Sequence, residues 1–140
     1  MDNIIFYKLK NGSCQPEKHG DWIDLSADDN YCIKKGGYVE IGLGVAMELP
    51  KNCEAIVLPR SSSFRKYGIL MANSIGVIDH DFCGDNDYWS FPAYATRDVF
   101  IDRGVRIAQF RVISSQDVKL VEVQTLNNPD RGGLGSTGNK

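Results

Sequence analysis

The sequence predicts an all-β domain, a sandwich or a barrel, and three observations carry that expectation. In "YVEIGLGVAMELP", Val39, Ile41, Leu43, Val45, Met47 and Leu49 fall on every second position, the period of a strand with one buried face. Further short runs rich in β-branched and aromatic residues, "NIIFYKL", "EAIVLP", "DYWSFPAY", "VRIAQFRVI" and "VKLVEV", are set apart by turn signals such as "KKGGY", "LPKN" and "IDRG". No amphipathic helix of ordinary length is visible, which removes the βαβ folds that build most nucleotide sites.

Taken in order, "MDNIIFYKLK" carries an early acid and no long apolar run, so it reads as a first strand rather than a signal peptide or membrane span. The alternating run follows as one strand over 39–49. "SSSFRKYGI" holds the makings of a helical turn, with serines to cap it and Gly68 to stop it. After Leu126 the composition shifts to "NNPDRGGLGSTGNK", which adds no core and is disordered in isolation by composition. The expected division is a β-barrel domain over 1–126 and a flexible, Gly-rich arm over 127–140.

With 140 residues the chain fits one domain, and 42% hydrophobic and 24% charged residues with a net charge of −2 describe a soluble globular protein. That balance recruits neither nucleic acid nor a membrane surface. The four cysteines form no CxxC pair, so they read as reduced thiols of a cytoplasmic protein.

Five segments hold groups with chemical potential, each with a plain structural reading beside it. "PRSSSFRKYG" joins Arg60, Ser61 and Ser62 to Arg65 and Lys66, the ingredients of an anion site or of a capped turn with a basic face. In "NSIGVIDHDFCGD", Asp79 and Asp81 would share a face if the segment were extended, and one of two neighbouring acids can serve as a base; an Asx-type turn is the alternative. His80 points away from both as a surface histidine, and His19 lies too far off in sequence to pair with it. Asp24, between Ile23 and Leu25, needs an arginine or a hydrated cation as partner. Gln109 sits in the otherwise apolar strand of Arg106, where facing solvent is the simple reading. The closing "RGGLGSTG" is no Walker A loop, yet its glycine amides can form a concave nest and Arg131 a fork for phosphate.

In sequence order, these segments closely resemble the five motifs of the trimeric deoxyuridine triphosphatases (dUTP pyrophosphatases), from about Asp21 to Gly138, and on them the chain is identified as a member of that family. The resemblance implies a jelly-roll-like β-barrel subunit, a homotrimer with sites at subunit interfaces, and a C-terminal arm that crosses to a neighbour and closes over dUTP. It implies that Asp79 activates the water that attacks the α-phosphorus, giving dUMP and pyrophosphate. Asn73, with Gly76 and the backbone of Val77 and Ile78, would hold the uracil edge. Arg60, Ser61, Ser62 and Gln109 would hold phosphates, as would Arg131, Ser136 and Thr137 with Gly135 from the arm. Magnesium would ride on the triphosphate, with Asp24 acting through a coordinated water.

Three positions depart from the family pattern. Phe82 replaces the usual tyrosine under deoxyribose and keeps the ring that excludes a 2′-hydroxyl. Leu134 replaces the arm phenylalanine that stacks on uracil, a contact worth about 1 to 3 kcal/mol; Trp89 and Phe91 are candidate replacements, or else core. Val105 stands where an aspartate usually accompanies the arginine, leaving Asp102 as a possible substitute. Among rivals, a dCTP deaminase-like enzyme needs an acid in "YWSFPAYA", where there is none. A nucleotide-gated sensor with an unknown regulatory partner would use the same pocket, and retention of Asp79 favours catalysis over it. A single-strand-binding β-domain lacks its basic groove.

Overall fold

The computed structural model describes residues 3–133. The strands are β1 (Phe6–Leu9), β2 (Glu17–His19), β3 (Trp22–Ser26), β4 (Tyr31–Ile33), β5 (Tyr38–Gly42), β6 (Val45–Glu48), β7 (Cys53–Pro59), β8 (Ile69–Met71), β9 (Gly76–Ile78), β10 (Ser90–Ala95), β11 (Val99–Ile101) and β12 (Arg106–Ser114), and α1 (Ser61–Tyr67) is the one helix among the described residues. They assemble antiparallel into a five-stranded sheet ordered β2-β3-β12-β7-β9, a three-stranded sheet β5-β10-β8, and two strand pairs, β1-β6 and β4-β11. The all-β expectation therefore holds.

The sheets enclose one core in which Trp89, Phe91, Phe110, Leu25, Ile41 and Ile107 are fully buried. The Trp89 ring meets Phe110 edge to face, with centroids 5.0 Å apart and planes at 78°. Trp89 and Phe91 are thus core residues, 1% and 0% exposed.

Ile41, Leu43, Val45, Met47 and Leu49 are all buried as the alternation predicts, but Gly44 and Ala46 between them are buried too, so both faces are covered over 43–47. The run is not one strand. Gly44 adopts φ +69°, a left-handed conformation that a side chain resists, and the chain turns there so that β5 pairs β10 while β6 pairs β1. A Cβ on Gly44 would also run into the Ser13 hydroxyl.

"VKLVEV" forms no strand. Leu120 is 95% exposed, and residues 115–133 run over the surface without secondary structure. Its apolar side chains find no sheet edge on their own chain. The helical turn does form, ended by Gly68 at φ +64°. Its cap differs from expectation: the Arg60 N–H donates to Ser63 Oγ at 3.1 Å, and that buried hydroxyl donates to the Ile107 carbonyl at 2.6 Å. Ser63, inside the first turn, thus ties the helix to β12.

Candidate functional site

Two polar clefts on this scaffold gather nearly all the described candidate residues. The first, about 290 Å³, lies beside the edge strand β9, which pairs with β7 so that Gly76 lies opposite Val57. A Cβ on Gly76 would come within 3.1 Å of the Val57 Cβ, so the glycine lets β9 approach closely. Asn73, Gly76, Val77, Ile78, Asp79 and Phe82 all line this cleft, joined by Glu40, Tyr88 and Ser90. Asn73 enters from the turn before β9, where Ser74 takes φ +66°.

Beyond Ile78 the chain leaves the extended form, and the Phe82 N–H donates to the Asp79 carbonyl at 3.1 Å. That turn separates the two acids. Asp79 lines the cleft and Asp81 does not. Both are exposed. The cleft is lined by two carboxylates, Asp79 and Glu40, and by no cationic side chain, which suits a neutral ring better than a phosphate.

The second cleft, about 440 Å³, is lined by His19, Trp22, Asp24, Arg60, Ser61, Arg106 and Gln109. Strand register explains the gathering: Gln109 on β12 lies directly opposite Asp24 on β3 on one side and Leu58 on β7 on the other, and Arg60 follows the end of β7. Directly opposed residues share a sheet face. Asp24 is buried, and its Oδ2 sits 3.3 Å from Arg60 Nε and 3.4 Å from Arg106 Nη1, so arginines supply the partner it needs. Gln109 does not simply face solvent; its amide donates to the Pro59 carbonyl at 3.1 Å.

Sequence reasoning passed over His19 and Glu17. The β2–β3 hairpin brings both to Arg106, whose Nη1 donates to His19 Nε2 at 2.7 Å and to Glu17 Oε2 at 3.0 Å. A hairpin joining "EKH" to "WID" was the available signal. Glu17, not Asp102, therefore accompanies Arg106, while Val105 packs against the core.

Ser62 is half-buried beside this cleft without lining it, and Arg131 is exposed. Leu134, Gly135, Ser136 and Thr137 lie outside the described residues. The two clefts share no lining residue.

The fold defines an antiparallel all-β class of protein with two clefts, one whose charged lining is two carboxylates and one lined by two arginines around a buried aspartate. The family model for dUTPase matches residues 14–138, and the chain belongs to the dUTPase family. It is 53% identical, over 88% of its length and 87% of the relative's, to the SPbeta prophage-derived deoxyuridine 5'-triphosphate nucleotidohydrolase YosS of Bacillus subtilis. It is 38% identical, over 98% of its length and 99% of the relative's, to the deoxyuridine 5'-triphosphate nucleotidohydrolase of a Hydrogenobaculum species. Its fold matches a variant of the Staphylococcus bacteriophage 80alpha dUTPase solved with dUpNHpp, at a TM-score of 0.82 and 17% identity over 98% of this chain and 99% of that one.

Proposed function

We propose that this chain binds the nucleoside of dUTP in the first cleft and its phosphates in the second, and that Asp79 activates the attacking water. As a member of the dUTPase family the chain is a dUTP diphosphatase. The observation that carries the mechanistic reading is where the cations lie: the charged side chains lining the first cleft are the carboxylates Glu40 and Asp79, whereas the second holds Arg60 and Arg106 around the buried Asp24.

In this reading Asn73 and the backbone of Gly76, Val77 and Ile78 hold the uracil edge, and the Phe82 ring packs against deoxyribose. A site whose polar groups are paired by uracil rejects bases that leave them unpaired. Asp79 takes a proton from water as its oxygen attacks the α-phosphorus; the bond from that phosphorus to the bridging oxygen breaks, and pyrophosphate departs with the bridging oxygen. The water's oxygen ends in dUMP. Arg60, Ser61, Ser62 and Gln109 hold the phosphate chain, and the arm over 127–140, with Arg131, Leu134, Gly135, Ser136 and Thr137, closes over it.

Magnesium fits the residues present in one way only. Among the described residues no cluster of three or more His, Cys, Asp or Glu side chains forms a cage, whereas Asp24 has Oδ2 held by arginines and Oδ1 without a protein partner. Asp24 Oδ1 would accept from a water of an ion carried on the substrate. The ion's contribution is to offset charge on the triphosphate.

The two clefts share no lining residue, which supports a homotrimer in which each site joins the first cleft of one copy to the second cleft of another. The four cysteines are free, and among the described residues no helix is long and apolar enough to cross a membrane. Pyrophosphate release measured on dUTP, dCTP, dTTP and UTP, with and without magnesium, tests the reading. Turnover is expected for dUTP with magnesium, and preference for another base overturns it. Asp79→Asn is expected to bind dUTP and release no pyrophosphate; retained turnover would assign the base elsewhere.

A further inference from the structure

We propose that the Tyr88 ring is the wall against which the base packs in the first cleft, an inference that rests on the dUTP reading of that cleft. Hydrogen bonds from Asn73 and the β9 backbone can read the edge of a base but leave its faces bare, and an aromatic side chain is what covers a base face. Among the aromatic residues of "DYWSFPAY", Trp89 and Phe91 are core, and Tyr94 is exposed away from the cleft. Tyr88 is half-buried and lines the cleft together with Asn73, Asp79 and Phe82.

The ring is held before any ligand arrives. Ahead of it a turn is closed twice, since the Gly84 N–H donates to Asp87 Oδ2 at 2.8 Å and the Asp87 N–H donates to the Gly84 carbonyl at 3.1 Å. Behind it Trp89 is tied at both backbone groups: its N–H donates to the Val45 carbonyl at 2.8 Å, and its carbonyl accepts from the Leu43 N–H at 2.9 Å. Lys8 and Lys10 each place Nζ 5.9 Å from the Tyr88 ring centroid, within reach of a cation–π contact. Both ammonium groups are anchored in turn. Lys8 Nζ donates to the Asp85 carbonyl at 3.2 Å, and Lys10 Nζ lies 3.7 Å from Asp28 Oδ2. A wall fixed in advance loses less entropy on binding than a swinging one. Every base has a π-face, so Tyr88 adds affinity while the edge contacts choose the base. Lys8 and Lys10 act through Tyr88 and are positioning residues.

Calorimetric titration of the full-length protein with dUMP and, separately, with inorganic pyrophosphate tests this, because pyrophosphate has no base to stack. Tyr88→Leu is expected to raise the Kd for dUMP about tenfold, the scale of a lost base–aromatic contact, and to leave the Kd for pyrophosphate as in wild type. Tyr88→Phe keeps the ring and is expected to bind dUMP within about twofold of wild type. Lys8→Met removes the cation and is expected to raise the KM for dUTP about threefold with kcat little changed, the scale of an exposed cation–π contact, and Lys8→Arg should restore it. In wild-type protein, nuclear Overhauser contacts are expected between the Tyr88 ring protons and the uracil ring protons of bound dUMP, a readout independent of how any variant folds. An unchanged dUMP Kd in well-folded Tyr88→Leu, an equal loss of pyrophosphate affinity, or a shifted Asn73 amide with no Tyr88 contact overturns the assignment and leaves the base reading of the cleft standing. Bound dUMP that touches neither Tyr88 nor Asn73 overturns both.

Discussion

Tyr31 shows how one side chain can tie several elements together. Its hydroxyl donates to Asp28 Oδ1 at 2.5 Å and accepts from the Gly42 N–H at 2.9 Å, and a Cβ on Gly42 would fall inside the Asp28 carboxylate. Burial, and then the hydrogen bond to Asp28, push the phenol up to about 12 from an ordinary 10.0. The folded state therefore prefers the protonated phenol more than the unfolded chain does. That contribution is fully present below pH 10 and is lost as pH rises through about 12. Alkaline absorbance titration should show one tyrosine ionising late, and Tyr31→Phe should remove that late step and flatten the loss of stability across the same window. Trp89 sets a different scale. Truncating it to alanine empties a fully buried site against Phe110, for which about 3–5 kcal/mol of stability is expected to be lost, read as the midpoint of urea unfolding. Trp89→Phe should lose much less, because it keeps a ring and removes an indole N–H that has no hydrogen-bond partner among the described residues. Nothing in the sequence distinguished this tryptophan from an exposed stacking ring, because "DYWSFPAY" is aromatic on both sides of the strand and burial depends on which sheet covers it.

At the scale of elements, local chemistry was legible where it acts within a few residues. The α1 turn and its Gly68 stop follow from capping and from φ > 0, both near-neighbour effects. Ser63 was not separable from Ser61 and Ser62, because its role comes from a carbonyl on β12, far along the chain. Ser63→Ala removes both hydroxyl hydrogen bonds, leaving the Arg60 N–H and the Ile107 carbonyl only their 3.3 Å bond to each other, and should cost about 1–3 kcal/mol in thermal or urea unfolding. It should also raise KM, since α1 carries Ser61 and Ser62 and begins beside Arg60. The period-two run over 39–49 identified the core residues but neither the exposed face, since Gly44 and Ala46 are buried as well, nor the break in the strand, because alternation survives a glycine turn that sends the two halves to different sheets. "VKLVEV" carries strand composition without a partner edge, and propensity cannot supply one. Glu17 and His19 were invisible for a related reason: their meeting with Arg106 is made by a hairpin on one side and β12 on the other.

The two clefts of one chain share no lining residue, and this makes the assembly testable by mixing. If one chain formed a complete site, a variant lacking Asp79 and a variant lacking Arg106 would each be inactive, and no mixture of them would recover turnover. If each site joins the first cleft of one copy to the second cleft of another, mixed assemblies contain interfaces where an intact Asp79 faces an intact Arg106. Unfolding and refolding Asp79→Asn together with Arg106→Ala should therefore yield pyrophosphate release from dUTP well above that of either variant refolded alone. The arm belongs to the same argument. β12 ends at Ser114, the buried core lies wholly before it, and residues 115–133 are exposed on their own chain. Truncation after Asn128 should keep the melting temperature within a few degrees and lose most turnover, because the described residues it removes, 129–133, are exposed yet include Arg131. Complementation failing in the mixture while the truncated chain still turns over would place the complete site within one copy.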